Sequence, residues 1–271
     1  MSNKVLKPKK ASLYQFTQKY SNNIDNCIEF FKSMKWPEGF SCDRCGCHKY
    51  YLVKRVGKTK TSYVLECSSC HKQHSLLSGT IFQSCKLDLY KLLLGIFLFF
   101  NENKGISAIE LCSILDVNYK TALLLESKCR ILMSLSNSDK LLNSLFYEAD
   151  VFNIGARSKN KAGRASEQQP ILGILSTDKE NNYPRFIKLR LITDYTGLSL
   201  KKNIEKCCVL SHDALFNTDG EKGFNTLNEE IQVKNEKISY EEKDHRLLWL
   251  NIIIGNIKNN ITGIYHGITK R

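Results

Sequence analysis

Three observations in the sequence predict a multidomain chain, α+β towards its N-terminus and α/β towards its C-terminus. Two closely spaced cysteine pairs bracket a hairpin pattern between residues 42 and 70. Helical periodicity fills residues 86–133. From Phe146 onward strands and helices follow one another, and the first of these strands carries two carboxylates.

The chain has 271 residues, enough for several modules with a real core. Its 40 Lys and Arg against 27 Asp and Glu leave a net charge of +13. That balance favours a polyanionic partner, nucleic acid before anionic membrane. The basic N-terminus (Lys4, Lys7, Lys9, Lys10) has no apolar run behind it, so no secretory signal is expected. The most apolar run, Leu92 to Phe100, is too short to span a bilayer and reads as a buried helix. Eleven cysteines without a signal point to metal and free thiols rather than disulfides. A cytoplasmic protein is expected.

Residues 1–40 read as a basic arm followed by a helical segment. Leu13 to Met34 has helical spacing, with Ile24, Cys27, Ile28, Phe30 and Phe31 as apolar positions. Trp36-Pro37-Glu38-Gly39 stops it.

Residues 41–82 read as a zinc ribbon. Cys42-Asp43-Arg44-Cys45 is followed, after 21 intervening residues (46–66), by Cys67-Ser68-Ser69-Cys70. Two such knuckles supply four thiolates, Cys42, Cys45, Cys67 and Cys70, to one tetrahedral Zn2+. The segment Tyr50 to Leu65 reads as a hairpin turning around Gly57. A closed four-cysteine site does no chemistry; it folds a module too small to hold a core alone. Cys47, His48, His71 and His74 are spare donors beside a set that is already complete. Lys54, Arg55, Lys58, Lys60 and Lys72 are either phosphate contacts or an ordinary solvated face.

Residues 83–140 read as a helical DNA-binding region. Leu87 to Phe100 is a first helix. Ser107 is placed to cap a second helix reaching about Leu115. After the turn Asp116-Val117-Asn118, a third helix runs from Tyr119 to Met133. A short turn between two helices fits a helix-turn-helix, with Tyr119, Lys120 and Thr121 facing DNA; a plain helical hairpin has the same pattern. Ser134 to Asn143 reads as a polar linker, and Cys112 and Cys129 as core.

Residues 145–271 read as a separate α/β core. In Phe146 to Gly155, Glu148 and Asp150 are two apart and so share one face of a strand. A carboxylate inside an apolar strand is costly unless something offsets it, and a metal ion does. Gly155 to Ser166 is a loop carrying Arg157, Lys159, Lys161 and Arg164. Pro170 to Thr177 and Phe186 to Thr193 are strands, and Tyr195 to Cys208 a helix. Ala214 to Thr218 is a fourth strand, Gly223 to Ile231 a helical stretch, and His245 to Asn260 a closing helix. This order is the one expected of a ribonuclease-H-like core.

Asp219 ends the fourth strand, where open α/β sheets place their chemistry. Asp150 and Asp219 side by side can share Mg2+ or Mn2+ and support two-metal phosphodiester chemistry. Asp213, before that strand, is the rival for the second position. On the last helix Asn251 and Lys258 are two turns apart and share a face. Asn251 can offer a carbonyl oxygen to metal and Lys258 can hold a phosphate. An ordinary surface amide is the alternative for Asn251.

Several landmarks resemble the ISXO-type insertion-sequence transposases. They are Trp36-Pro37-Glu38-Gly39-Phe40, Ser78-Gly79-Thr80-Ile81-Phe82, Glu148-Ala149-Asp150 with Ile154-Gly155, and Thr218-Asp219-Gly220. The Asn251-to-Lys258 helix with Gly263-Ile264-Tyr265-His266-Gly267 completes the series, in family order from about residue 14 to the end. The resemblance implies a zinc ribbon followed by a DDE core of ribonuclease-H-like fold. It implies Asp150 and Asp219 as the first two acids, Asn251 at the third acidic position, and Lys258 as the accompanying lysine. Asparagine there departs from the commoner glutamate, and Val151 departs from a glutamate that many members carry. Members usually continue past the Tyr-His-Gly segment to an aromatic-arginine-asparagine motif, so a C-terminally short copy is expected.

The implied activity is that of a prokaryotic, nucleoid-associated DNA transposase. It would bind double-stranded DNA at terminal inverted repeats, cleave it and join it to a target as a homo-oligomer. The alternatives are a catalytically dead or truncated remnant that only binds DNA through its ribbon, and an RNA-processing nuclease on the same core. The basic charge fits all three.

Overall fold

The computed structural model describes residues 11–57, 61–102, 105–138, 140–155, 168–178, 183–211, 213–220, 222–227, 232–235 and 247–265. The chain divides into two compact units, Met1–Ser134 and Leu135–Arg271. The basic arm over residues 1–10, Lys58, Lys60 and the loop Arg157, Lys159, Lys161 and Arg164 lie outside the described residues. No described helix is long and apolar enough to cross a membrane.

The first unit opens with α1 (Leu13–Tyr20) and α2 (Ile24–Lys35), where the sequence predicts one helix. Asparagine chemistry makes the break. The Asn23 side chain accepts the Asn26 backbone N–H at 3.1 Å, and the Asn26 side-chain amide donates to the Lys19 carbonyl at 2.7 Å. These bonds offer the backbone an alternative to a continuous helix. The ribbon follows as β1 (Tyr50–Val56), β2 (Thr61–Cys67) and a third strand, β3 (Gln73–Ser75), all antiparallel. β3 is too short and polar to announce itself.

Three helices complete this unit: α3 (Leu89–Asn101), α4 (Ala108–Leu115) and α5 (Tyr119–Ser138). Ser107 caps α4 in a reciprocal capping box with Glu110, and Asp116, at φ +48°, ends it in the left-handed region. α5 continues to Ser138, so the expected linker from Ser134 is helical over its first part. Ser134, Ser136, Asn137 and Ser138 make this end of α5 polar in sequence, and a polar helix end reads like a linker. Gly95 lets α3 pack closely: a Cβ there would stand 2.5 Å from Leu125 Cδ2 and 3.0 Å from Leu115 Cδ1. One core runs through the whole unit, from Phe16, Cys27 and Phe31 through Cys42, Cys67 and Leu65 to Leu92, Leu111 and Leu125.

The second unit is built on a five-stranded sheet among the described residues, in the order β6-β5-β4-β7-β8. Strands β4 (Phe146–Ile154), β5 (Gln169–Thr177) and β6 (Pro184–Leu191) form an antiparallel meander. β7 (Leu215–Thr218) runs parallel to β4, and β8 (Gln232–Asn235) parallel to β7. β8 was not expected; the helical stretch predicted over Gly223 to Ile231 is a short 3-10 helix at Lys222–Leu227, with β8 soon after it. α6 (Gly197–Glu205) is shorter than predicted and α7 (Leu248–Tyr265) is shifted towards the C-terminus.

Alternation along β4 sorts its side chains between two layers. Tyr147 and Ala149 pack with Leu172, Ile174, Leu200, Ile204, Phe216 and Phe224, beneath α6 and the 3-10 helix. Phe152 packs on the other side with Leu175, Leu250 and Ile254, beneath α7. Glu148 and Asp150 share the parity of Phe152, so both belong to the α7 face.

Candidate active site and metal centre

The ribbon brings its four sulfurs together. The Sγ atoms of Cys42, Cys45, Cys67 and Cys70 all lie within 4.8 Å of one another. Cys42 and Cys70 are 3.6 Å apart, and Cys45 and Cys67 are 3.5 Å apart. A tetrahedron with Zn–S bonds of about 2.3 Å has edges of about 3.8 Å, so the donor set fits Zn2+.

Each knuckle is folded by its own backbone. The Gly46 N–H donates to the Cys42 carbonyl at 2.9 Å, and the His71 N–H to the Cys67 carbonyl at 3.1 Å. Gly46 and His71, each directly after the second cysteine of a pair, both have positive φ, +70° and +54°. Burial opposes charge on Cys42, but the backbone N–H groups of Arg44 and Cys45, with His74, bring its thiol down to about 6. His74 is buried and stands beside Cys42 and Asp43, next to the four-sulfur set and outside it.

The second unit brings two carboxylates level. β4 and β7 are parallel neighbours, with Glu148 opposite Asn217. Two residues further along come Asp150 on β4 and Asp219, the residue directly after the end of β7. Their proximity is felt electrostatically: burial, then the charge of Asp219, pushes the Asp150 carboxyl up to about 7. The Val151 backbone and Lys258 pull the other way. Across the sheet Asp150 pairs with Gly173, which has no side chain to crowd it.

Lys258 comes to this face from α7, its Nζ 5.7 Å from the centre of the Phe152 ring. Hard carboxylate oxygens, one of them with a pKa raised by burial and by the charge of the other, suit Mg2+ or Mn2+.

The geometry meets two family comparisons. Residues 23–73 match the family described as a transposase zinc-ribbon domain. Residues 146–271 match the ISXO2-like transposase domain. The chain carries the zinc-ribbon and DDE domains of an ISXO2-type transposase. No curated protein matches it in sequence.

Within the transposase domain, Asp150 lies within electrostatic reach of both Asp219 and Lys258. Asn251 is exposed in the first turn of α7, and among the described residues no hydrogen bond ties it to either aspartate. Asp213, the rival of Asp219, precedes β7 at the opposite end of that strand.

In the segment between the two matched regions, Tyr119 and Lys120 are exposed at the start of α5. Thr121 is half-buried: its N–H and hydroxyl donate to the Asn118 side chain at 2.8 and 2.9 Å, so it is used in capping α5.

One residue of the α7 face was singled out in the sequence without a role. Glu148 is buried, and its Oε2 accepts the backbone N–H of Leu250 at 2.7 Å, across 102 positions of sequence. Its sequence signals are parity with Asp150 and its place in the Glu148-Ala149-Asp150 landmark.

Proposed function

We propose that this protein is an insertion-sequence transposase that binds element ends and catalyses metal-dependent strand cleavage and strand transfer on a ribonuclease-H-like core. The observation that carries this reading is the placement of Asp150 on β4 and Asp219 directly after the parallel neighbouring strand β7, level with each other and inside the region matched to the ISXO2-like transposase domain. The antiparallel meander followed by two parallel strands supports the fold assignment.

Asp150 and Asp219 hold the divalent ions, and Lys258 holds a DNA phosphate beside them. Held there, two such ions would supply the activation of a water or 3′-hydroxyl and charge stabilisation at the leaving oxygen. Asn251 contributes at most a neutral carbonyl oxygen. The ribbon holds Zn2+ through its four cysteines and, with a helix-turn-helix formed by α4 and α5, presents Tyr119, Lys120 and Thr121 to DNA. Bringing two element ends together requires at least a dimer on DNA. The division into segments 1–40, 41–82, 83–140 and 145–271 follows these roles.

A second reading has one observation in its favour, the exposed and unengaged Asn251 at the third position. In that reading the chain is a zinc-ribbon DNA-binding protein without cleavage. A nicking assay on a labelled duplex carrying the element's terminal repeat, with magnesium or manganese, separates the two. Metal-dependent nicking, lost in Asp150→Ala and Asp219→Ala while DNA binding persists, is expected. Full activity in either variant would sink the assignment, and binding without nicking by the unaltered protein would leave the second reading.

A further inference from the structure

The start of α7 is fixed to the carboxylate-bearing strand at two points. The first is the hydrogen bond from the Leu250 N–H to Glu148 Oε2, at 2.7 Å and buried. The Trp249 N–H also points to this carboxylate. The first N–H groups of any helix lack partners within it, and an acceptor near that end satisfies them and favours the dipole. The second point is the Leu250 side chain, which lies over Gly173: a Cβ added there would be 3.3 Å from Leu250 Cδ1. Gly173 is the partner of Asp150 across the sheet.

From these two anchors the helix stays on the same face of the sheet as Phe152. Leu250 and Ile254 pack with Phe152, and Lys258, about two turns beyond Leu250 on α7, brings its Nζ 5.7 Å from the centre of the Phe152 ring. A slip of one residue at the helix start would turn α7 by about 100° and carry Lys258 away from the strand.

We infer that Glu148 is a positioning residue, whose carboxylate registers α7 on β4 and so sets where Asn251 and Lys258 stand relative to Asp150 and Asp219. This rests on the transposase reading of those four residues. What Glu148 must supply is an oxygen acceptor at full side-chain reach; negative charge is not the requirement. Glutamine keeps the reach and loses the charge, whereas aspartate keeps the charge and falls one methylene short.

The test compares Glu148→Gln, Glu148→Asp and Glu148→Ala in the full chain by hydrogen exchange over residues 248–254, by Mn2+ binding, and by terminal-repeat nicking. Glu148→Gln should keep exchange protection and Mn2+ affinity and lose less than about tenfold in nicking, because a neutral acceptor is weaker than a charged one. Glu148→Asp and Glu148→Ala should lose protection in the first turn of α7 and about a hundredfold in nicking, the usual result of small misplacement. The ranking Gln above Asp holds even where Glu148→Ala fails to fold. The reverse ranking, or Mn2+ affinity lost in Glu148→Gln with exchange protection intact, would overturn the inference and make Glu148 a charge or ligand. Absence of nicking in the unaltered protein would defeat the transposase reading and leave the exchange ranking to decide the role of Glu148.

Discussion

Asp150 is paired across the sheet with Gly173, and the helix α7 rests on that glycine through Leu250. The pairing leaves the carboxylate uncrowded and lets the helix approach the strands closely. Both depend on the absence of one methyl group.

Gly173→Val should therefore destabilise the second unit by about 1–3 kcal/mol, since the added atoms meet Leu250 and Phe152, each already 3.3 Å from a Cβ. Gly255, in the middle of α7, has nothing within 4 Å of its Cβ position. Gly255→Ala should stabilise by up to about 1 kcal/mol from helix propensity. Urea denaturation of the two variants should give shifts of opposite sign; shifts of the same sign would contradict the packing described.

The raised carboxyls give a pH dependence of definite sign. Burial, with Asp219 beside it, brings Asp150 up to about 7, and burial likewise brings Glu148 up to about 7. An ordinary carboxyl ionises near about 4. Between those values the unfolded chain has released its proton and the folded chain has not, so stability falls as pH rises through this window. In magnesium-free buffer the second unit should be harder to denature at pH 5 than at pH 8. Asp150→Asn should flatten the slope, and Mg2+ should restore stability at pH 8. A slope that Asp150→Asn leaves unchanged would locate the effect elsewhere.

Zinc removal should reach well past the ribbon. Cys42 and Cys67 belong to the same core as Leu92 and Leu111. Structural zinc contributes about 10–16 kcal/mol in small domains, comparable to the whole stability of many folds. Cys67→Ser should abolish hydrogen-exchange protection in α3 (Leu89–Asn101) as well as in the hairpin. Protection kept in α3 would mean that the helices fold without metal.

Ser107 offers a smaller and more local check. Its hydroxyl accepts the Glu110 N–H at 3.2 Å, and the Glu110 side chain accepts the Ser107 N–H at 2.9 Å. Ser107→Ala should cost about 1 kcal/mol, read as a shift in the melting of the first unit.

Local chemistry was legible in the sequence and long-range pairing was not. The knuckle cysteines, the Ser107 cap and the acidic strand all signal within a few residues, through spacing, capping pattern and alternation. β8 carries no such signal: Gln232–Asn235 becomes a strand because β7 pairs with it from Leu215↔Gln232 onward. The break between α1 and α2 depends on side-chain bonds from Asn23 and Asn26 that apolar periodicity does not register. At the candidate site, the parity of Glu148 with Asp150 was readable. The amide that Glu148 engages was not, because nothing near residue 148 points to residue 250.

The core that runs from α2 into the ribbon also limits how this protein can change. Lys32 donates to the Tyr50 hydroxyl at 3.0 Å, and Lys35 to the Ser75 carbonyl at 2.7 Å. Trp36 meets His74 edge-on. Helix and ribbon are thus keyed to each other residue by residue. A ribbon transplanted from a relative would bring its own lock without this key. New recognition can accumulate by substitutions on the outer surface, whereas wholesale exchange of the ribbon requires recutting α2 along with it.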